Sequence, residues 1–355
     1  MSSHVVFGAG LIGSYLGASM HNLGLNVALV CRAAVKNNLA KGVVLTDYQE
    51  HYAQVENLNF LDSEILAKLK PEQISCDFLW LTVKCHGVER ALLEIAPLVN
   101  KNTVILCCQN GLGSDRPVKN AYPHNTVLRV MVPFNVVELE KGLLHRGSEG
   151  HLTIEQANRP DISENLQAML NSELLPVSIT NDMQSLLWAK LQLNLGNSIN
   201  ALADIPVKSM LEQRGYRLVI ATMMQELLAV SKELGLELPK VTALPANLVP
   251  HVLKLPNFLF KLVANKMLAV DPNVRTSMWW DMSQNKPTEI QYLNGAVVGE
   301  GARMGVPTPA NTRIVALVEA LSAPSSKHEQ GAKRVKTALT RPISASQLQR
   351  LIRQH

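Results

Sequence analysis

A chain of 355 residues is long enough for about two domains, each with its own core. With 47% hydrophobic and 18% charged residues its composition is that of a soluble globular protein, and no stretch of 18 consecutive apolar residues predicts a membrane span. The formal charge of +5 would suggest a nucleic-acid partner, but its distribution argues against one.

From Ala323 to His355 there are seven Lys/Arg against one acid, Glu329; without that segment, 34 basic and 29 acidic residues become 27 and 28. The basic character therefore belongs to a tail, and neither nucleic acid nor membrane is an expected partner. The cysteines Cys31, Cys76, Cys85, Cys107 and Cys108 lie mostly in apolar, strand-like runs. They show no CxxC or Cys/His spacing, so free thiols in a reducing cytoplasm are expected and no metal site. His4-Val5-Val6-Phe7 enters a strand at once, which leaves no room for a signal peptide.

Val5-Val6-Phe7-Gly8-Ala9-Gly10-Leu11-Ile12-Gly13 reads as strand, glycine turn and helix start, with the helix stopping at Gly24 and a second strand over 26–31. In that context a G-x-G-x-x-G pattern predicts a dinucleotide turn. Gly8 permits the tight turn, Gly10 lets the backbone approach a pyrophosphate, and Gly13 lets helix and strand pack closely. A purely structural glycine turn is the alternative. An NAD-selecting chain would place an acid after the second strand. Here Arg32 follows it, with Lys36 nearby and no acid before Asp47, which favours the 2′-phosphate of NADP(H). A solvated loop arginine would look the same.

The α/β alternation continues with a buried-type strand over 76–83 that ends in Lys84, a helix to about Val99, and a strand over 103–108 that ends in Gln109-Asn110-Gly111. Ligands of doubly wound sheets bind at the carboxyl ends of the strands. Lys84 and Asn110 are therefore candidates beside nicotinamide and substrate, although Asn-Gly is also a common turn. Further strands are expected over 127–132, 142–145, 151–155 and 177–180.

The chain then turns helical. Residues 186–200 read as one helix, apolar almost all round, with a single polar stripe. At about 100° per residue, Lys190, Asn194 and Asn197 fall within roughly 60° of one another, flanked by Ser198. A lysine and two amides on a buried helix must face a partner or a wet cleft. The plainer option is an internal network tying two helices together. Helices are also expected over 217–234, over 249–268 with Pro256 interrupting, over 288–303 and over 312–321. The predicted organisation is α/β: a Rossmann-type dinucleotide-binding domain over 1–182, an all-helical domain of the 6-phosphogluconate dehydrogenase C-terminal type over 183–322, and a loosely attached basic tail over 323–355.

The glycine turn, Lys84, Asn110-Gly111, Trp188-x-Lys190-x-x-x-Asn194 and Ser277-Met278 occur in one order, with Glu289 twelve residues after Ser277. In that order and spacing the chain resembles the ketopantoate reductase (2-dehydropantoate 2-reductase) family over residues 3–322. The resemblance implies NADPH-dependent reduction of a 2-oxo acid, a step of pantothenate biosynthesis, by a cytoplasmic enzyme with its active site between the two domains. It assigns Lys190 as catalytic, with Glu289 as the acid near the substrate. Asn110 bridges nicotinamide and substrate, Ser277 binds a carboxylate, and Asn194, Asn197 and Ser198 line the pocket. Gly8, Ala9, Gly10, Leu11, Ile12, Gly13, Arg32 and Lys84 hold the cofactor. The other role open to Glu289 is structural, with Thr288 capping the helix and Glu289 an anion in its first turn. The chain departs from the family at Val274 and Ser198, where asparagines are frequent and would shape the pocket. A reductase of another 2-oxo acid, or a silent NADP-binding protein, fits the same motifs. A homodimer also stays open.

Overall fold

The structure is a computed structural model that describes residues 2–62, 66, 74, 76–264, 272–322 and 340–353. The chain divides into two compact units, Met1–Met183 and Gln184–His355.

The first unit runs β1 (Ser3–Phe7), α1 (Leu11–Asn22), β2 (Asn26–Val30), α2 (Ala33–Leu39), β3 (Val43–Asp47), β4 (Tyr52–Val55), β5 (Asn59–Leu61) and β6 (Phe78–Leu81). It continues with α3 (Val88–Glu94), β7 (Val104–Cys107), α4 (Asp115–Ala121), β8 (Val127–Met131), β9 (Val136–Glu140), β10 (Leu143–Arg146), β11 (Leu152–Glu155), α5 (Pro160–Leu170) and β12 (Val177–Thr180). Eight strands form one sheet in the order β12-β11-β8-β7-β6-β1-β2-β5. It is parallel from β8 to β5, and β11 runs antiparallel to β8.

The central strands are buried on both faces, which is why they read as continuous apolar runs. Val5, Phe7, Leu79, Leu81, Ile105 and Cys107 enter the core on one face, and Val6, Trp80 and Leu106 that on the other. A second sheet, β4-β3-β10-β9, was not legible as such in the sequence. Its strands are short; in β3 the buried Val43, Leu45 and Asp47 alternate with half-buried Val44 and Thr46. This sheet packs on α1, so Gly13 to Met20 is buried without interruption. A helix covered on several sides needs apolar or small residues all round.

The second unit runs α6 (Met183–Asn194), α7 (Gly196–Ala203), α8 (Val207–Glu212), α9 (Arg214–Glu233), α10 (Val249–Lys254), α11 (Asn257–Val263), α12 (Ser277–Ser283), α13 (Asn294–Met304), α14 (Pro309–Ser322) and α15 (Ala345–Leu351). No strand occurs among its described residues. Arg217 of α9 is fully buried and organises three chain turns. Its guanidinium donates to the carbonyls of Leu211 (2.8 Å), Leu253 (3.0 Å) and Leu255 (2.7 Å) and stacks 4.0 Å from the Phe260 ring centroid. These carbonyls lie at the ends of α8 and α10, where a cation is favoured.

Three expectations need correction. The helix over 186–200 is two helices, α6 and α7, parted at Leu195. The one over 288–303 begins as a 3-10 turn, Ile290–Tyr292; Leu293 then leaves helical geometry at φ −106, ψ −99 before α13 starts. The tail is not loose where it is described. Its residues 323–339 lie outside the described residues, but Ile343 and Leu348 are fully buried. The Ile343 amide donates to Leu202 O (2.9 Å), and the Tyr216 hydroxyl donates to Ile343 O (3.1 Å). Ser344 starts α15 with a capping box. Two apolar side chains in a basic segment are enough to dock it on α9. Among the described residues no helix is long and apolar enough to cross a membrane.

Candidate functional site

In the first unit the expected cofactor residues converge. The turn over 8–13 follows β1, Arg32 follows β2, Lys84 follows β6 and Asn110 follows β7, and these four strands are neighbours in the sheet. The order reverses at β1, with β2 on one side and β6 on the other. Such a reversal opens a crevice at the carboxyl ends of the strands.

The glycines of the turn differ in physical role. Gly8 has φ +93, and a Cβ there would stand 2.5 Å from Val83 Cγ1 and 2.8 Å from Val83 N. A Cβ on Gly13 would meet Thr82 Oγ1 at 2.4 Å. Both positions are closed by the protein itself. A Cβ on Gly10 would meet nothing nearer than Gly8 O at 3.9 Å, so its bareness serves no internal packing. Gly10 is the N-cap of α1, whose first N–H groups point out of the helix end, where an anion is stabilised. Gly8 N and Ala9 N donate to Val30 O, and the Ser14 hydroxyl donates to Ala9 O, which fixes the turn. Leu11 is exposed at the first turn of α1 and Ile12 half-buried.

Arg32 is exposed at the N-cap of α2, with half-buried Lys36 one turn on. Asp47, the first acid after β2, is committed elsewhere: it is buried and accepts from Arg146 Nη2 (2.6 Å), His51 Nδ1 (2.9 Å) and the amides of Gln49 and His51. Burial alone would raise its carboxyl; these donors outweigh that and hold it at about 2. The sequence reading missed a nearer acid. Asp62 directly follows β5, which pairs in parallel with β2, and its charge reaches Cys31. It also missed Gln109, whose buried amide donates to Leu81 O (2.7 Å) and Val83 O (3.2 Å) and ties the ends of β6 and β7. Beside it, Cys85 Sγ donates to Asn110 O at 2.8 Å.

In the second unit Lys190, Asn194 and Asn197 form the less buried side of α6 and α7, while Trp188, Ala189, Leu191, Leu195 and Ile199 are buried. Ser198 does not belong to this stripe. It is fully buried, and its hydroxyl donates to Leu195 O (2.9 Å) within the helix. The nearby residue that matters is Asn200, also fully buried. Its Oδ1 accepts from Thr276 N (3.0 Å) and Thr276 Oγ1 (3.1 Å), and its Nδ2 donates to Ile205 O (2.6 Å). Thr276 in turn caps α12 and donates to Asn197 O (3.3 Å). The loop carrying Ser277 is thereby fastened to α7 beside Asn197. An amide inside a buried helix is a signal that would have found Asn200. Ser277 itself is exposed, as are Val274 (41%) and Trp280 (53%) around it.

Glu289 is buried at the head of the 3-10 turn and its side chain makes no capping bond there. Asn294 is structural: it donates to Asn311 Oδ1 (3.0 Å), and Asn311 donates to Met223 O (3.1 Å) and Glu226 Oε2 (2.7 Å).

Residues 4–159 match the sequence pattern described as "Ketopantoate reductase PanE/ApbA", and residues 182–322 match "Ketopantoate reductase PanE/ApbA C terminal". The 2-dehydropantoate 2-reductase of Vibrio cholerae serotype O1 is 26% identical over 326 residues, 91% of this chain and 99% of its own. A PanE/ApbA family ketopantoate reductase from Ralstonia eutropha JMP134 superposes with a TM-score of 0.73 at 25% identity, covering 90% of this chain and 98% of its own. D-mandelate dehydrogenase with NADH and anilino(oxo)acetate gives the same TM-score at 19% identity and the same coverage, a likeness of fold. Both halves of the family pattern fall on the two units that carry the glycine turn and the lysine stripe. The chain is an oxidoreductase of the ketopantoate reductase family.

Proposed function

We propose that this protein reduces a 2-oxo acid with NADPH, and that the acid is 2-dehydropantoate, giving pantoate. The observation that carries the reading is the half-buried polar stripe of Lys190, Asn194 and Asn197 on helices whose opposite side is buried. The first unit fits a dinucleotide: Gly10 leaves room where a Cβ would intrude on a pyrophosphate, at the anion-favouring end of α1. Arg32 and Lys36 fit a 2′-phosphate.

The bound dinucleotide supplies the hydride. Adding it to the carbonyl carbon turns C=O into an alkoxide. Lys190 polarises the carbonyl oxygen and donates the proton that completes the 2-hydroxy acid. Ser277 donates to the substrate carboxylate, and Asn110, Asn194 and Asn197 orient it. Glu289 holds the substrate hydroxyl and orients Lys190. Lys84 draws the anionic partners toward the strand ends.

A second reading, another 2-oxo acid, is favoured by exposed Val274 and Trp280 beside Ser277, which offer an apolar wall. Asp62 at the end of β5 keeps NADH in the comparison. A panel of 2-oxo acids, each with NADPH and with NADH, tests all of this by cofactor absorbance. Turnover of ketopantoate with NADPH at the highest kcat/KM is the expected result. Higher kcat/KM with a bulkier 2-oxo acid selects the second reading, and binding of NADPH without oxidation by any acid overturns both.

A further inference from the structure

Residues 340–353 lie beyond the end of the family pattern at residue 322, yet they return to the part of the second unit that carries Ser277. The meeting point is Asp204. It ends α7 with φ +53, a left-handed conformation that aspartate adopts more readily than most residues. Its Oδ1 accepts from Trp279 Nε1 at 2.5 Å, and Arg275 Nη1 lies at 3.3 Å. Arg275 also stacks 4.2 Å from the Trp279 ring centroid. These two residues flank Ser277 on either side. The third group on the same oxygen comes from the C-terminal segment: Arg341 Nη2 at 3.4 Å. Arg341 is held there because Ile343, two residues on, is fully buried and bonded to Leu202 and Tyr216.

We propose that the C-terminal segment is a clamp for the substrate loop, with Arg341 and Asp204 as positioning residues that set the place of Ser277. The proposal rests on the reading of Ser277 as a substrate contact. Arg275 and Arg341 repel each other, and the charge of Asp204 between them offsets that repulsion, so Asp204 holds the loop and the tail in one geometry. Removing Arg341 leaves the pair of Asp204 with Arg275 and its bond from Trp279. Removing the charge of Asp204 releases both arginines and leaves the bond from Trp279. Thr276, fastened separately to Asn200, keeps α12 folded in either case.

The test uses the full chain with Asp204→Asn, Arg341→Met and Arg341→Lys. Asparagine tolerates the left-handed backbone at position 204, so Asp204→Asn removes charge alone. Hydrogen exchange read by mass spectrometry is expected to speed about fivefold over residues 274–280 in Arg341→Met and more in Asp204→Asn, with α9 unchanged. For the 2-oxo acid, KM is expected to rise about three- to tenfold while kcat and NADPH affinity stay within about twofold. Arg341→Lys restores both readouts. Unchanged exchange over 274–280 overturns the clamp, as does an equal increase over α9, which would make the segment a general support of the fold. Faster exchange with unchanged KM overturns the positioning of Ser277. If the wild-type chain reduces no 2-oxo acid, the functional reading fails by itself and the exchange measurement still decides the clamp.

Discussion

The two units place their site residues by different physical means. In the first unit the work is done by backbone: four neighbouring strands end together, and glycines open or close the space at their tips. In the second, side chains fasten one loop to another, through Asn200, Asp204 and Arg217. A backbone device writes itself into the sequence as a spaced glycine or an apolar run. A side-chain fastening joins positions distant in the chain, 36 residues apart for Arg217 with Leu253 and 76 for Asn200 with Thr276, and leaves only an isolated polar letter.

The largest effect expected concerns Lys190, on the second unit. It is proposed to act on charge that develops only as hydride arrives, so its contribution belongs to the transition state. Lys190→Ala is expected to lower kcat by about 10²–10⁴-fold with NADPH affinity and Tm near wild type. Lys190→Arg does not rescue, because a guanidinium keeps its proton. Near-normal turnover of the alanine variant would make the stripe an interhelical contact, and the second unit would then be scaffold only.

The glycine turn sharpens the contrast within the first unit. Gly8→Ala places a methyl against Val83 at positive φ and is expected to cost about 2–4 kcal/mol of stability as well as nucleotide binding. Gly10→Ala meets open space and is expected to leave Tm unchanged while weakening dinucleotide binding, measured by calorimetry. If both variants lose stability equally, Gly10 serves the fold and the cradle is lost. Arg32 comes next: Arg32→Ala should weaken NADPH about ten- to a hundredfold and leave NADH nearly unchanged. Equal loss for both cofactors would pass selectivity to Asp62 or Lys36.

How far the sequence could be read follows the same division. The strands over 3–7, 78–81 and 104–107 were legible because burial on both faces leaves runs of apolar residues, Val5-Val6-Phe7 after Ser3 and His4 in the first of them. The second sheet was not, since strands such as Val136–Glu140, with four exposed residues after Val136, carry no pattern of their own. Lys190 and Ser277 stand out in the sequence only through their motifs. Asn200 and Asp204 were passed over, because their partners Thr276, Trp279 and Arg341 are distant in the chain. The docking of 340–353 hid in a basic composition, where Ile343 and Leu348 were too few to form a period.

The first unit has buried polar side chains of its own, Asp47 with Arg146 and Gln109, and His4 is the one that titrates in a way that can be measured. It sits in β1 with 1% exposure, stacked on Phe78 at 5.0 Å, and its Nδ1 accepts from Trp80 Nε1 at 3.2 Å. An indole N–H only donates, so the ring is neutral with its proton on Nε2. Burial opposes the charged form and pushes the imidazole down from 6.5 to about 4, against the opposing pull of Asp77. Between those values the unfolded chain binds a proton that the folded chain refuses. Stability from this residue is therefore complete above about pH 6.5 and is lost as the pH falls toward 4. The loss between pH 7 and pH 5 is about 2 kcal/mol. Urea midpoints across that range are expected to fall in the wild type. In His4→Gln, which keeps an acceptor for Trp80 and cannot be protonated, the slope flattens. A wild-type stability that is level from pH 7 to pH 5 would show that the fold does not oppose protonation of His4.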